Sequence, residues 1–146
     1  MLFQRINRTD PEKIFMVVKA GEALLAGRPV ALHFTGTDDG LLGFTANAAG
    51  DATSTVGIAD AAVASGDYGL VQCYGYRTSA KVQGGSDADP LAHDILAVMS
   101  ESSGGLSQSV SIGEITANLP MFICAVSASS ASSAAYQDMP IFIRCM

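Results

Sequence analysis

Gly66-Asp67-Tyr68-Gly69-Leu70-Val71-Gln72-Cys73-Tyr74-Gly75-Tyr76-Arg77 is the stretch on which the fold of this chain turns. It opens on a Gly-Asp turn signal and continues as a β-rich run that is apolar on both faces. A strand with one face in water would alternate apolar and polar residues. Here Tyr68, Leu70, Tyr74 and Tyr76 share a face with Gln72, and Val71 and Cys73 occupy the other. The run therefore predicts a strand covered on both sides, by its own domain or by a neighbouring subunit.

The same signals recur along the chain. Ile14–Val18, Val30–Phe34, Leu41–Thr45, Thr55–Ala59, Leu119–Val126 and Ile141–Cys145 all read as strands, rich in β-branched and aromatic residues. Asp38-Asp39-Gly40 supplies a hairpin turn between the second and third of them. Ser79–Gln83 reads as the hairpin partner of the 68–77 strand. Ala92–Met99 fits either a short helix capped by Asp89-Pro90 or a strand at Ile95–Met99. Strand is favoured, because so short a helix before a Ser/Gly tract is poorly stabilised. Ser100–Ser111 and the Ser/Ala-only run Ser127–Ala135 cannot bury enough apolar area to offset ordering, so both read as loops. No period of 20–50 residues stands out. The expectation is an all-β protein, a small barrel or sandwich of about eight short strands with Ser/Gly/Ala-rich loops. Residues 1–28 form an extended N-terminal arm with the first strand, and 29–146 a single β domain.

Composition narrows the function. Only 15% of the 146 residues are charged, against the roughly 25% usual for soluble domains, while 49% are hydrophobic. With Ala, Gly and Ser so abundant, this balance suggests a surface normally covered by partners. The net charge of −6 argues against nucleic acid as a partner. Five of the eight basic residues (Arg5, Arg8, Lys13, Lys19 and Arg28) lie in the first 28 positions, which suggests an arm meeting an acidic surface or a solvated face balanced by Asp10, Glu12 and Glu22. No run of about 18 apolar residues marks a membrane span, and the N-terminus lacks a secretory pattern, so folding in a cytosol is expected. Cys73, Cys124 and Cys145 sit in apolar runs without metal or redox spacing and read as small core residues.

The motifs of catalysis and phosphate binding are missing from the sequence, so no catalytic residue, cofactor or metal is predicted. His33 lies within an apolar strand and reads as a core or interface residue. Asp87, Asp89, His93 and Asp94 could ligate a divalent ion, but their spacing matches no calcium loop, and an acidic solvated loop is the simpler account. Tyr74 and Tyr76 fit sheet packing or an interface better than stacking on a sugar or base.

The pattern Val56-Gly57-Ile58-Ala59, an Ala-rich link, then Gly66-Asp67-Tyr68-Gly69-Leu70-Val71-Gln72-Cys73-Tyr74-Gly75 resembles the capsid decoration (cement) proteins of tailed bacteriophages. Asp94-Ile95-Leu96 and the apolar stretch Pro140–Met146 fit the same layout, so that the resemblance covers roughly residues 50–146. It implies a tulip-like β domain, often a homotrimer, on the capsid exterior. There it would clamp copies of the major capsid protein and perform no reaction, after assembly in the host cytoplasm. Arg5, Arg8, Ile14 and Phe15 are the candidates for capsid contact. Tyr74, Tyr76 and Arg77 are the candidates for subunit contact, since aromatic and Arg side chains are enriched in interface cores. A tail or neck component and a small β-barrel enzyme or carbohydrate-binding module are the competing readings.

Overall fold

The computed structural model describes residues 12–34, 42–47, 51, 53–83, 95–98, 106–108, 122–124 and 136–145. Among them lie nine strands and no α-helix: β1 (Ile14–Ala20), β2 (Pro29–His33), β3 (Leu42–Thr45), β4 (Thr55–Ala59), β5 (Tyr68–Gln83), β6 (Ile95–Val98), β7 (Leu106–Gln108), β8 (Phe122–Cys124) and β9 (Gln137–Arg144). The all-β architecture expected from the sequence is the one observed. Residues 1–11 of the arm, the Asp38–Gly40 turn and the run Ser127–Ala135 fall outside the described residues.

The strand pairings close twice. One path runs β1-β3-β2-β4-β5 and returns through β1–β5; the other runs β5-β7-β6-β8-β9 and returns through β5–β9. Two five-stranded rings therefore share β5. Its first half pairs with β1 and β4, and its second half with β9 and β7. Closure pairs the outermost strands that an open sheet would leave as edges.

Each ring has its own core. Val18, Ala20, Leu24, Val30, Ala59 and Val71 fill the first. Ala80, Val82, Leu96, Phe122, Met139, Ile141 and Ile143 fill the second, joined by Ile58 from β4. Alternation explains the assignment: in β9 the buried residues are Met139, Ile141 and Ile143, with Asp138 and Arg144 exposed. In β4 neighbouring residues divide, so Ala59 faces the first core and Ile58 the second.

Two departures from the sequence reading concern β5 and β7. The strand at 68–77 does not turn back at Thr78; it runs on to Gln83, and Ser79–Gln83 is its continuation rather than a hairpin partner. The register against β9 shifts between Arg77 and Ala80, opposite Pro140, which has no N–H for the ladder. A bulge absorbs that defect without ending the strand. Leu106–Gln108, inside the tract read as a loop, is a strand lying parallel to β5 and antiparallel to β6. The ladder on both sides decides its conformation, despite a Ser-rich composition.

The first ring also contains a repeat. Ala20–Arg28 and Ala59–Asp67 trace the same path, each residue 39 positions before its counterpart, and the backbone hydrogen bonds within and between the two segments correspond one for one. Leu24 and Val63 exchange N–H···O bonds of 2.9 and 3.0 Å, so the local two-fold axis passes between them. The Ala20 N–H donates to the Asp67 carbonyl and the Ala59 N–H to that of Arg28; Gly66 N–H donates to Ala20 and Gly27 N–H to Ala59. Each copy ends in a four-residue turn, Leu25–Arg28 and Ala64–Asp67. Gly27 and Gly66 hold φ of 76° and 88° at the third position of these turns, as a type II turn requires. The expectation of no repeat is thus corrected. Few identities mark the duplication, among them Val17/Val56, Ala20/Ala59, Ala23/Ala62 and Gly27/Gly66, because backbone bonds rather than side chains carry it.

Candidate interaction surface

The stripe that opened the sequence reading has different surroundings along its length. Val71 and Cys73 are buried on one face, as expected. On the other face Gln72 is also buried, and its amide donates to the carbonyls of Tyr74 and Tyr76, both at 3.2 Å. Ile58, its cross-strand partner, belongs to the second ring's core. The cover over Gln72 is therefore the chain's own second ring. Tyr74 and Tyr76 are half-buried; Tyr74 meets Phe142 edge-on with ring centres 5.3 Å apart. Towards the start of β5 the cover ends, and Tyr68 and Leu70 are 71% and 47% exposed.

Arg77 is held inside the chain at the junction of the rings, with its side chain only 11% exposed. Nε donates to the Ser79 carbonyl at 2.6 Å. One terminal nitrogen donates to Asp60 Oδ1 at 3.0 Å and reaches Gln72 Oε1 at 3.5 Å, and the other donates to the carbonyls of Ala59 and Asp60 at 3.1 and 3.2 Å. The planar fork of a guanidinium suits this arrangement, since its donors diverge to several fixed acceptors at once. A second tie lies nearby. The Lys81 N–H donates to the Gly27 carbonyl at 2.9 Å, and Arg28 stacks 3.8 Å above the Tyr136 ring. Beside the β5 bulge, Lys81 and Ser79 both bond the Asp138 carboxylate at 2.7 and 2.8 Å. Those hydrogen bonds, Lys81 first, hold Asp138 below the usual carboxylate range.

The remaining predicted residues are dispersed. Ile14 and Phe15 are exposed on β1, while Arg5 and Arg8 lie outside the described residues. Asp87, Asp89, His93 and Asp94 also lie outside them. Among the described residues no group of three or more His, Cys, Asp or Glu side chains could hold a metal ion, and no helix is long and apolar enough to cross a membrane. His33 is exposed at the end of β2 and stacks on Phe44 with ring centres 4.6 Å apart, rather than lying in a core. Cys73 is buried and Cys145 half-buried, each pushed up from the ordinary thiol range chiefly by burial, Cys145 to about 12.

The sequence reading missed Val17. In register, Val17 stands opposite Leu70 and Lys19 opposite Tyr68, so these side chains share the outer face of the β1–β5 pair. Val17 is 64% exposed. Its signal in the sequence is Ile14–Ala20, a second run that is apolar on both faces. Alongside Tyr68 and Leu70 runs a groove of about 260 Å³ walled by Ala61, Ala62, Val63 and Ala64.

Taken together, the chain is an all-β protein of two closed rings sharing one strand, with an uncovered apolar face on the first ring. No family model and no curated protein matches it. Among solved structures it is similar to the N base of the head fiber gp8.5 of bacteriophage phi29, with a TM-score of 0.51 and 16% sequence identity; the match covers 92% of this chain and 96% of that one. Likeness at that identity is a likeness of fold.

Proposed function

We propose that this chain is a structural protein of a tailed-phage head, seated on the capsid exterior as a decoration (cement) protein. The observation that carries the reading is the near end-to-end fold likeness to the base of a phage head fiber. The strand and glycine pattern at residues 56–75, read independently, leads to the same class of virion component. In this reading the chain catalyses no reaction, assembles in the host cytoplasm, and binds the major capsid protein and its own copies as a homotrimer. Ile14 and Phe15, exposed where the chain enters β1, meet the capsid together with Arg5 and Arg8; Tyr74 and Tyr76 contribute to self-contact. Modest contacts suffice, because many copies on one lattice act together. The test is cosedimentation with heads of its own phage that lack the protein. The expected result is saturable binding at a fixed ratio to the major capsid protein, and free protein left in the supernatant would sink the proposal.

A further inference from the structure

We infer that the outer face of β1 and the first half of β5 is where two copies of this chain meet, with Tyr68 and Leu70 of each copy seated in the Ala61–Ala64 groove of the other. The inference rests on the reading above that copies of this chain associate, and adds to it a two-fold contact centred on the start of β5 rather than on Tyr74 and Tyr76 at its middle.

Three observations favour a second copy as the occupant. The first is shape. Tyr68 projects from the first ring and borders a groove lined by Ala61, Ala62, Val63 and Ala64 together with Asp60 and Asp67. A knob beside a hole on one surface lets two copies of that surface dock into each other about a two-fold axis. The groove's 260 Å³ is room enough for an aromatic side chain. The second is area. Val17, Tyr68, Leu70 and the exposed alanines offer roughly 500 Å² of largely apolar surface, at the upper end of what a monomer usually shows. Two such faces bury about 1,000 Å² together, the lower bound for a specific protein interface. The third is charge. Lys19 and Asp67, both exposed and without an ion pair among the described residues, flank Tyr68 at one end of the face. A copy of the same surface brings the opposite sign to each, although every copy carries a net charge of −6.

Light scattering on the full chain after size exclusion, at micromolar concentration, tests the inference. The wild type is expected at an even multiple of 15.0 kDa. Tyr68→Asp, and separately Ala62→Arg to fill the groove, are expected to weaken association at least 30-fold, the loss of one hot-spot contact of about 2 kcal/mol. Both positions are exposed, so the far-UV spectrum of each variant should match the wild type. Phe34→Asp, at an exposed apolar residue just beyond β2, should leave the mass unchanged. A monomeric wild type, either face variant associating as tightly as wild type, or equal weakening by Phe34→Asp would each overturn the inference. Head cosedimentation is scored separately: an oligomer that dissociates in Tyr68→Asp yet never binds heads supports this face and removes the decoration reading.

Discussion

Arg77→Ala is expected to unfasten the junction between the two rings. Four of the guanidinium contacts are 3.2 Å or shorter, and three of these go to backbone carbonyls in a largely buried setting. A hydrogen bond to a charged group contributes about 1.5–3 kcal/mol, though bonds made by one side chain do not add. The Asp60 carboxylate is 46% exposed, so its ion pair is screened and contributes at most about 1 kcal/mol. Ala59 keeps a second donor in the Gly27 N–H, which limits the cost of leaving its carbonyl behind. Together these give a loss of about 3 kcal/mol. In urea, with a slope of about 2 kcal/mol per molar, the midpoint should fall by roughly 1.5 M at fixed protein concentration. Arg77→Lys should restore only part of this, because a single ammonium cannot span diverging acceptors. Asp60→Asn should cost about 1 kcal/mol or less. The reasoning fails if Arg77→Ala loses less than about 1 kcal/mol. It fails equally if the variant loses oligomer mass while the urea midpoint stays put, since that would place Arg77 in a subunit contact instead.

Three further substitutions probe other parts of the architecture. A Cβ at Gly75 would fall on the Glu12 carbonyl oxygen at a φ of 100°, whereas one at Gly66, at 88°, meets nothing within 4 Å. Gly66→Ala should therefore cost about 1 kcal/mol from backbone strain alone, and Gly75→Ala more than about 3 kcal/mol; similar urea midpoints would refute this. Ile58→Ala opens a cavity in the second core from a strand of the first ring, at an expected cost of about 2–5 kcal/mol. Because the rings share β5, fluorescence of tyrosines in both should lose structure in one coincident transition, and two separated transitions would contradict that. Cys145, with its thiol raised to about 12, holds its proton in the folded state after an unfolded thiol, near 8.5, has lost it. The folded chain thus binds more protons between those values, and its stability falls as pH rises through them. Cys145→Ala should flatten that alkaline limb in chemical denaturation, and an unchanged slope would show the group to be solvated.

Much of the fold was legible because its strands declare themselves locally. Ile14–Ala20, Thr55–Ala59 and Ile141–Arg144 carry β-branched and aromatic residues whatever they pair with, and β2 and β3 pair antiparallel as consecutive strands of a hairpin do. What stayed hidden depends on residues distant in sequence. Thr78-Ser79 reads as a turn until Pro140 is placed across from it, and Leu106–Gln108 reads as loop until Val82 and Val98 flank it. Arg77 was recognisable as a residue suited to an interface, but whether its acceptors belong to the same chain is a fact of topology. The exposed face at Val17, Tyr68 and Leu70 was half legible. An excess of apolar residues on both sides of a strand says that two covers exist and does not say where each begins.

The sharing of β5 also has a mechanical meaning. A load applied between the rings runs along the axis of one continuous strand, which is hydrogen-bonded to β1 and β4 at one end and to β9 and β7 at the other. Inter-strand bonds lie across the strand direction, so such a load shears a row of them together instead of peeling them one at a time. The Arg77 clasp sits at the point where that load passes from one ladder to the next. A chain that grips a surface through one ring and is pulled through the other would be stiff along β5 and would yield first by bending at the junction.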